Sequence, residues 1–397
     1  MSTAYEPGAP AKEGIIPLSI PQMTGNEWPY IKECLDTNWV SSVGSYVDRF
    51  EAMAAEHAGA KYAVATVNGT AALHIALLVA GVHPNDEVLV SDLTFIASAN
   101  AIRYAGTWPI FIDAEEKYGQ IDPALVRRFL EESCERRDDA LYNKTTGRRV
   151  SAILPVDVLG HPVDMDPILD AAREFGLVVV EDGAEAIGAT YKNRAVGNLA
   201  DIGIFSFNGN KIITTGAGGM IVTDREDWAK KARHLTTQAK DDPLEYCHGE
   251  IGYNYRMCNI LAAMGCAQME QLDHFVATRR TIAAKYAEGL NDVPGLALMG
   301  QADWAESTFW LSVVLVDEAE YGMDSRSLLG KLREAGIQTR PLWQPMHQSG
   351  AHADAPRMDC PISERLNAQA LSLPSSASLT PSQQDRVVKA LRDIGNG

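Results

Sequence analysis

The sequence predicts an α/β fold, with a large domain on a mostly parallel seven-stranded sheet and a smaller C-terminal α+β domain. Three observations carry that expectation. A chain of 397 residues is too long for one simple core and suits two domains. From residue 61 onward, short apolar runs alternate with helical stretches of ten or more residues. Apolar strands joined by helices belong to parallel sheets covered on both faces.

The elements follow in order. Residues 1–25, with Pro7, Gly8, Pro10 and Gly14, read as a loosely ordered N-terminal arm ahead of a large domain over 26–270 and a small one over 271–397. A short helix is expected over 27–35, followed by the polar stretch Asn38-Trp39-Val40-Ser41-Ser42-Val43-Gly44. The first strand is expected over 62–67, punctuated by Asn68-Gly69-Thr70, with an Ala/Leu-rich helix over 71–80. The pattern repeats as strand 87–91, helix 96–105, strand 109–112 and helix 123–136, and the polar stretch 134–149 reads as a surface loop. Strand 151–156, helix 167–175 and strand 177–181 come next. The last two strands, 202–207 and 219–223, are separated by a Gly/Thr-rich loop instead of a helix. That break marks a candidate site, because loops carried by a rigid sheet bear function. A helix over 225–235 precedes a polar, irregular region over 236–254. One long helix over 261–290 is expected to link the domains, ahead of strand 308–316, helix 325–334 and helix 382–394.

Composition narrows the function classes. Hydrophobic residues make up 46% and charged residues 22%, ordinary values for a soluble globular protein. No apolar run approaches the roughly 20 residues of a membrane helix. No basic segment precedes an apolar one at the N-terminus, so no secretory signal is read and a cytoplasmic location is expected. A net charge of −17 argues against binding a nucleic-acid backbone but leaves an anionic small substrate open, since a local pocket can be positive. The six cysteines include no C-x-x-C pair and read as free thiols. His161, His234 and His248 lack zinc-site spacing, so no metal is expected.

Four places carry candidate chemistry. Lys211 lies in Phe205-Ser206-Phe207-Asn208-Gly209-Asn210-Lys211-Ile212-Ile213, just past an expected buried strand. A poorly solvated amine is a nucleophile able to form an imine; the bland alternative is a surface lysine on a turn. Asp182 closes an expected central strand, at the carboxyl end where open α/β sheets bind ligands. A carboxylate there can pair with a protonated pyridine nitrogen, or simply cap the next turn. Asn68-Gly69-Thr70-Ala71 starts a helix after a strand, where backbone N–H groups suit a phosphate; an ordinary capped helix is the alternative. Ser206 can add a hydroxyl to that phosphate, and Phe95, after the next strand, can stack on a cofactor ring or pack in the core.

The segments Glu181-Asp182-Gly183-Ala184-Glu185, Phe205-Ser206-Phe207-Asn208-Gly209-Asn210-Lys211 and Thr214-Thr215-Gly216-Ala217-Gly218-Gly219 resemble the DegT/DnrJ/EryC1 family of nucleotide-sugar aminotransferases. The resemblance implies a fold type I enzyme that uses pyridoxal 5′-phosphate and passes through pyridoxamine 5′-phosphate. It implies Lys211 as the imine-forming lysine and later the acid/base, with Asp182 on the pyridine nitrogen. Glu185 would lie near the phenolic oxygen, where a glutamate needs a proton to donate. Gly69, Thr70, Ala71 and Ser206 would hold the phosphate, and Phe95 would flank the ring. Asn254, in Gly252-Tyr253-Asn254-Tyr255-Arg256, would reach the phosphate of a neighbouring subunit, so a homodimer with shared active sites is implied. Trp39, Ser42, Arg256 and Trp343 are the implied substrate contacts. Some relatives carry His at the lysine position and act as dehydratases; Lys211 implies transamination.

Pro17-Leu18-Ser19-Ile20-Pro21, Gly25-Asn26-Glu27-Trp28 and 38–44 resemble the branch acting in legionaminic acid and bacillosamine synthesis. That branch implies amination at C4 of a UDP-linked 2-acetamido-4-keto-2,6-dideoxyhexose with L-glutamate as donor. The rival readings are the same chemistry on a GDP-linked or 3-keto sugar, and a non-catalytic regulator on the same fold.

Overall fold

The computed structural model describes residues 14–242 and 244–395. Pro7, Gly8 and Pro10 of the expected arm lie outside the described residues. The described remainder of that arm is tied down. Ile16 is buried and bridges Ile337, while the Leu18 and Ile20 amides donate to Gln338 Oε1 (3.4 Å) and Ser376 Oγ (3.0 Å).

The large sheet is built from β1 (Tyr62–Thr66), β2 (Glu87–Ser91), β3 (Trp108–Ile112), β4 (Cys134–Arg137), β5 (Ala140–Asn143), β6 (Arg149–Leu154) and β7 (Val178–Asp182). A small hairpin of β8 (Thr190–Tyr191) and β9 (Arg194–Ala195) then precedes β10 (Ile202–Ser206) and β11 (Gly219–Thr223). Seven of these follow one path, β1-β11-β10-β7-β6-β2-β3. Only β11 in that path runs antiparallel to its neighbours, because the Gly/Thr-rich loop before it has no crossover helix. Every residue of β2, β10 and β11 is buried, as the continuous apolar runs require.

Four elements differ from the expectation. The helix over 123–136 stops early: Pro123–Arg128 is α-helical, Phe129–Ser133 widens into a π turn, and β4 follows. The stretch 134–149 is therefore no loop. β4 and β5 form a hairpin that joins β6 and makes the sheet nine-stranded. Its inward set is only Cys134, Leu141 and Asn143, too short an apolar alternation to register. The long helix over 261–290 is two, Asn259–Met269 and Leu272–Leu290. The first packs Ala262, Ala263 and Cys266 in the large core; the second begins in that same core with Leu272, Phe275 and Val276 and reaches the small one with Ile282, Tyr286 and Leu290. A helix over Ser45–Ala58, missing from the expected elements, buries Tyr46, Val47, Phe50 and Ala54.

The second core gathers around β12 (Leu296–Leu298), β14 (Ser312–Val316), β15 (Arg340–Pro341) and β16 (Ala370–Leu373), in the order β12-β14-β16-β15, with β13 (Ala305–Glu306) pairing β8 instead. Leu328, Leu332, Val387 and Leu391, from helices Ser325–Glu334 and Pro381–Gly395, complete it. Among the described residues no helix is long and apolar enough to cross a membrane.

Candidate active site

The carboxyl ends of β1, β10, β7, β6 and β2 share one edge of the sheet, the usual ligand crevice of such folds. β11 enters from the same edge, with Gly219 opposite both Thr66 and Ser206. The next few residues of each strand therefore decide the chemistry.

After β1, Asn68 caps the helix Gly69–Val79 by accepting from the Ala71 amide at 2.7 Å. The Ala71 N–H is thus already bonded, whereas the Gly69 and Thr70 amides have no intrahelical acceptor and sit at the positive end of the helix dipole. Two glycines allow the segments here to close up. A Cβ on Gly69 would lie 2.8 Å from Ser206 Cβ, and one on Gly219 would lie 2.4 Å from the Asn68 carbonyl. Amides, a dipole end and the Ser206 hydroxyl therefore meet in a cradle too tight for side chains, which fits a phosphate.

After β7, Asp182 is 2% exposed. Its Oδ2 accepts from Ser98 Oγ at 2.7 Å and its Oδ1 from the Ala184 amide at 3.1 Å. Burial pushes its carboxyl above the usual range, and these two bonds and the Lys211 charge pull it back. An anion held this way can receive a protonated ring nitrogen. Ser98 was not among the expected residues; its signal was a hydroxyl in the first turn of the helix after β2 (Ala97–Tyr104). Phe95, three residues before Ser98, is 53% exposed, so core packing is not its role.

Beyond β10, Lys211 folds back over the crevice. Its Nζ lies 3.1 Å from Glu185 Oε1 and 4.2 Å from the centre of the Trp310 ring, with 11% of the side chain exposed. Glu185 accepts there and also takes the Leu159 amide at 2.8 Å on Oε2. Burial raises its carboxyl while Lys211 lowers it. The surroundings hold strained backbone: Leu159 has φ +63° and Phe309 +48°, in a region non-glycine residues seldom adopt. Trp310 donates Nε1–H to Asn210 O at 2.7 Å, and Trp343 stacks parallel to it at 6.5 Å. Trp310 lay inside an expected strand and carried no sequence signal.

Other expected contacts lie apart from this cluster. Asn254 is exposed, its backbone bridged to Thr237. Arg256 runs its backbone beside Thr66, but its guanidinium turns inward to Glu51 and the Ala65 carbonyl. Trp39 is 56% exposed and its carbonyl accepts from Asn259; Ser42 is half-buried nearby in sequence. Asp92, His347 and Cys360 each offer a ligand atom, all within 4.8 Å of one another. Yet the imidazole is engaged on both sides, Nδ1 with Asp92 Oδ2 at 2.7 Å and Nε2 with Glu364 Oε1 at 3.0 Å. Each ring nitrogen of His347 thus already faces a carboxylate oxygen.

The sequence pattern of the DegT/DnrJ/EryC1/StrS aminotransferase family matches residues 21–392. The chain belongs to this family. It is 40% identical to a GDP-perosamine synthase of Caulobacter vibrioides over 385 residues, covering 96% of this chain and 98% of that one. A GDP-perosamine synthase of Escherichia coli O157:H7 is 38% identical over 379 residues, with 96% and 98% covered. Among solved structures, DesI in the presence of its TDP-sugar product superposes with a TM-score of 0.87 at 29% identity, covering 98% of this chain and 95% of that one. The DegT-family protein described here is thus a fold type I, pyridoxal-phosphate-dependent nucleotide-sugar aminotransferase. The cradle, the buried Asp182 and the enclosed Lys211 amine fit that cofactor's phosphate, ring nitrogen and aldehyde.

Proposed function

We propose that Lys211 is the catalytic lysine, and that the enzyme moves the amino group of L-glutamate to C4 of a nucleotide-linked 4-keto-6-deoxy sugar. The products are 2-oxoglutarate and a 4-amino sugar. The observation that carries this is the Lys211 amine held between Glu185 and Trp310 in the same crevice as the buried Asp182.

Pyridoxal 5′-phosphate, when bound, supplies the electron sink that makes the donor's α-proton labile. Gly69, Thr70 and Ser206 would hold its phosphate, Phe95 would flank its ring and Asp182 would hold the ring nitrogen protonated. Ala71 contributes position only, since its amide bonds Asn68. The Lys211 amine would take the donor's α-proton and later return a proton to C4 of the sugar. Glu185 steers that amine by hydrogen bond, and Trp310 shields it from water. Asn254, exposed on this chain, would complete the phosphate site of a second copy, making a homodimer with shared active sites. Trp343, beside Trp310, would line the sugar side with Trp39 and Ser42.

The two GDP-perosamine synthases support a GDP-linked sugar. The strings 17–21, 25–28 and 38–44 favour a second reading, the UDP-linked 2-acetamido-4-keto sugar of surface-glycan synthesis. Mass spectrometry of reactions with L-glutamate and each keto-sugar decides between them. Lys211→Ala should keep the circular-dichroism spectrum and lose turnover; a fully active variant would sink the assignment.

A further inference from the structure

One strand end ties the floor of the site to its wall. Asp92 follows β2, is fully buried, and lies three residues before Phe95 and six before Ser98. It takes three bonds from the segment 346–347, whose Met346 is buried in the large core. Its carbonyl accepts from the Met346 amide (2.9 Å), Oδ1 from the His347 amide (2.9 Å), and Oδ2 faces His347 Nδ1 (2.7 Å). On the other side of the ring, Glu364 faces Nε2 at 3.0 Å from the helix Pro361–Gln369. The start of that helix is itself fastened to the large sheet: Asp113, after β3, accepts from the Ile362 and Ser363 amides and the Ser363 hydroxyl. Asn367 of the same helix donates to the Leu342 and Trp343 carbonyls at 2.7 and 2.9 Å. The segment 342–347 is thus gripped at both ends. Trp343, on it, stacks on Trp310, whose ring lies against the Lys211 amine.

We propose that His347, clamped between Asp92 and Glu364, is a positioning residue that sets Trp343 against Trp310 at the wall of the site, and thereby governs the keto-sugar half of the reaction rather than the glutamate half. This rests on the sugar reading above. Two parallel indoles offer a flat apolar face that matches the C–H face of a pyranose, whereas glutamate, with two carboxylates, gains little from it. Losing the imidazole also takes the ring from Asp92 Oδ2 and leaves that buried carboxyl the Cys360 thiol and the His347 amide, which loosens the segment rather than the sheet.

The test follows each half-reaction of the holoenzyme separately by cofactor absorbance, and amide exchange over 342–348. His347→Ala should weaken keto-sugar use about tenfold while the glutamate half-reaction stays within about twofold, and exchange over 342–348 should quicken. Trp343→Ala should show the same kinetic split, and the double variant should be no worse than Trp343→Ala alone. His347→Gln, keeping a donor toward Asp92, should recover part of the loss. If His347→Ala folds poorly, Glu364→Gln, at the exposed end of the clamp, should give a smaller change in the same direction. Equal loss in both half-reactions, additive losses in the double variant, or unchanged exchange in His347→Ala each overturns the clamp. Glutamate-driven bleaching without amination of any keto-sugar removes the sugar reading instead, and exchange over 342–348 then decides the clamp by itself.

Discussion

Replacing Gly69 with alanine tests the phosphate cradle through one methyl group. The new Cβ would lie 2.8 Å from Ser206 Cβ, 3.0 Å from its Oγ and 3.4 Å from its Cα. A change of Ser206 rotamer relieves only the Oγ contact; Cβ and Cα move only with β10, whose five residues are all buried. The helix must therefore shift away from Ser206. Overpacking of this kind costs about 1–3 kcal/mol. Expressed in cofactor affinity, that is about 5- to 150-fold weaker binding. Because Gly69 is helical, alanine adds no backbone strain, and its better helix propensity offsets part of the loss in folding stability. The signature is weakened cofactor binding together with a melt lowered by whatever part of that cost the helix propensity does not offset. Absorbance titration of the apoenzyme with pyridoxal phosphate reads the first, and thermal unfolding the second. Two further variants separate shape from chemistry. Ser206→Ala keeps the Cβ and loses a hydrogen bond of about 1 kcal/mol. Gly69→Ala with Ser206→Gly removes the collision and should bind about as well as Ser206→Gly alone. Wild-type affinity in Gly69→Ala, or no recovery in the double variant, would refute the cradle.

Three other outcomes are expected. Ser98→Ala removes a bond that lowers the Asp182 carboxyl, so that carboxyl rises further; turnover should drop, and the acid limb of the pH–rate profile should move to higher pH. Burial lifts the adjoining Glu181 and Asp157 carboxyls together, Glu181 to about 7, so the folded chain keeps a proton that the unfolded chain has released. Relative to Glu181→Gln, the wild type should therefore lose stability as pH climbs from 4.5 through about 7, with a flat difference at lower pH; urea melts across that window read the sign. Arg256→Ala leaves the buried Glu51 with Arg233 as its remaining ion-pair partner, a loss near the lower end of about 3–5 kcal/mol. Its KM for the sugar should not change; a large rise in KM with an unchanged melt would give Arg256 back its substrate contact.

Much of this protein is legible from local pattern. The alternation of buried strands and helices sets the α/β class, because each side chain's exposure to the core is repeated along its own element. The Gly/Thr-rich break after Lys211, the carboxylate closing β7 and the turn after β1 are all short-range signals, and each falls at the crevice edge. Tertiary structure decided the rest, because those contacts join residues that no local period relates. Strand order brings Gly69 against Ser206 and Ser98 under Asp182. A break after Met269 divides what looks like one long helix, and sheet pairing turns a polar loop into a hairpin. Trp310 reaches Lys211 because the segment ahead of β14 packs into the large core, and Arg256 turns from the site because a buried glutamate needs its charge. Sequence periodicity reports which face is apolar; only the packed chain reports which face it meets.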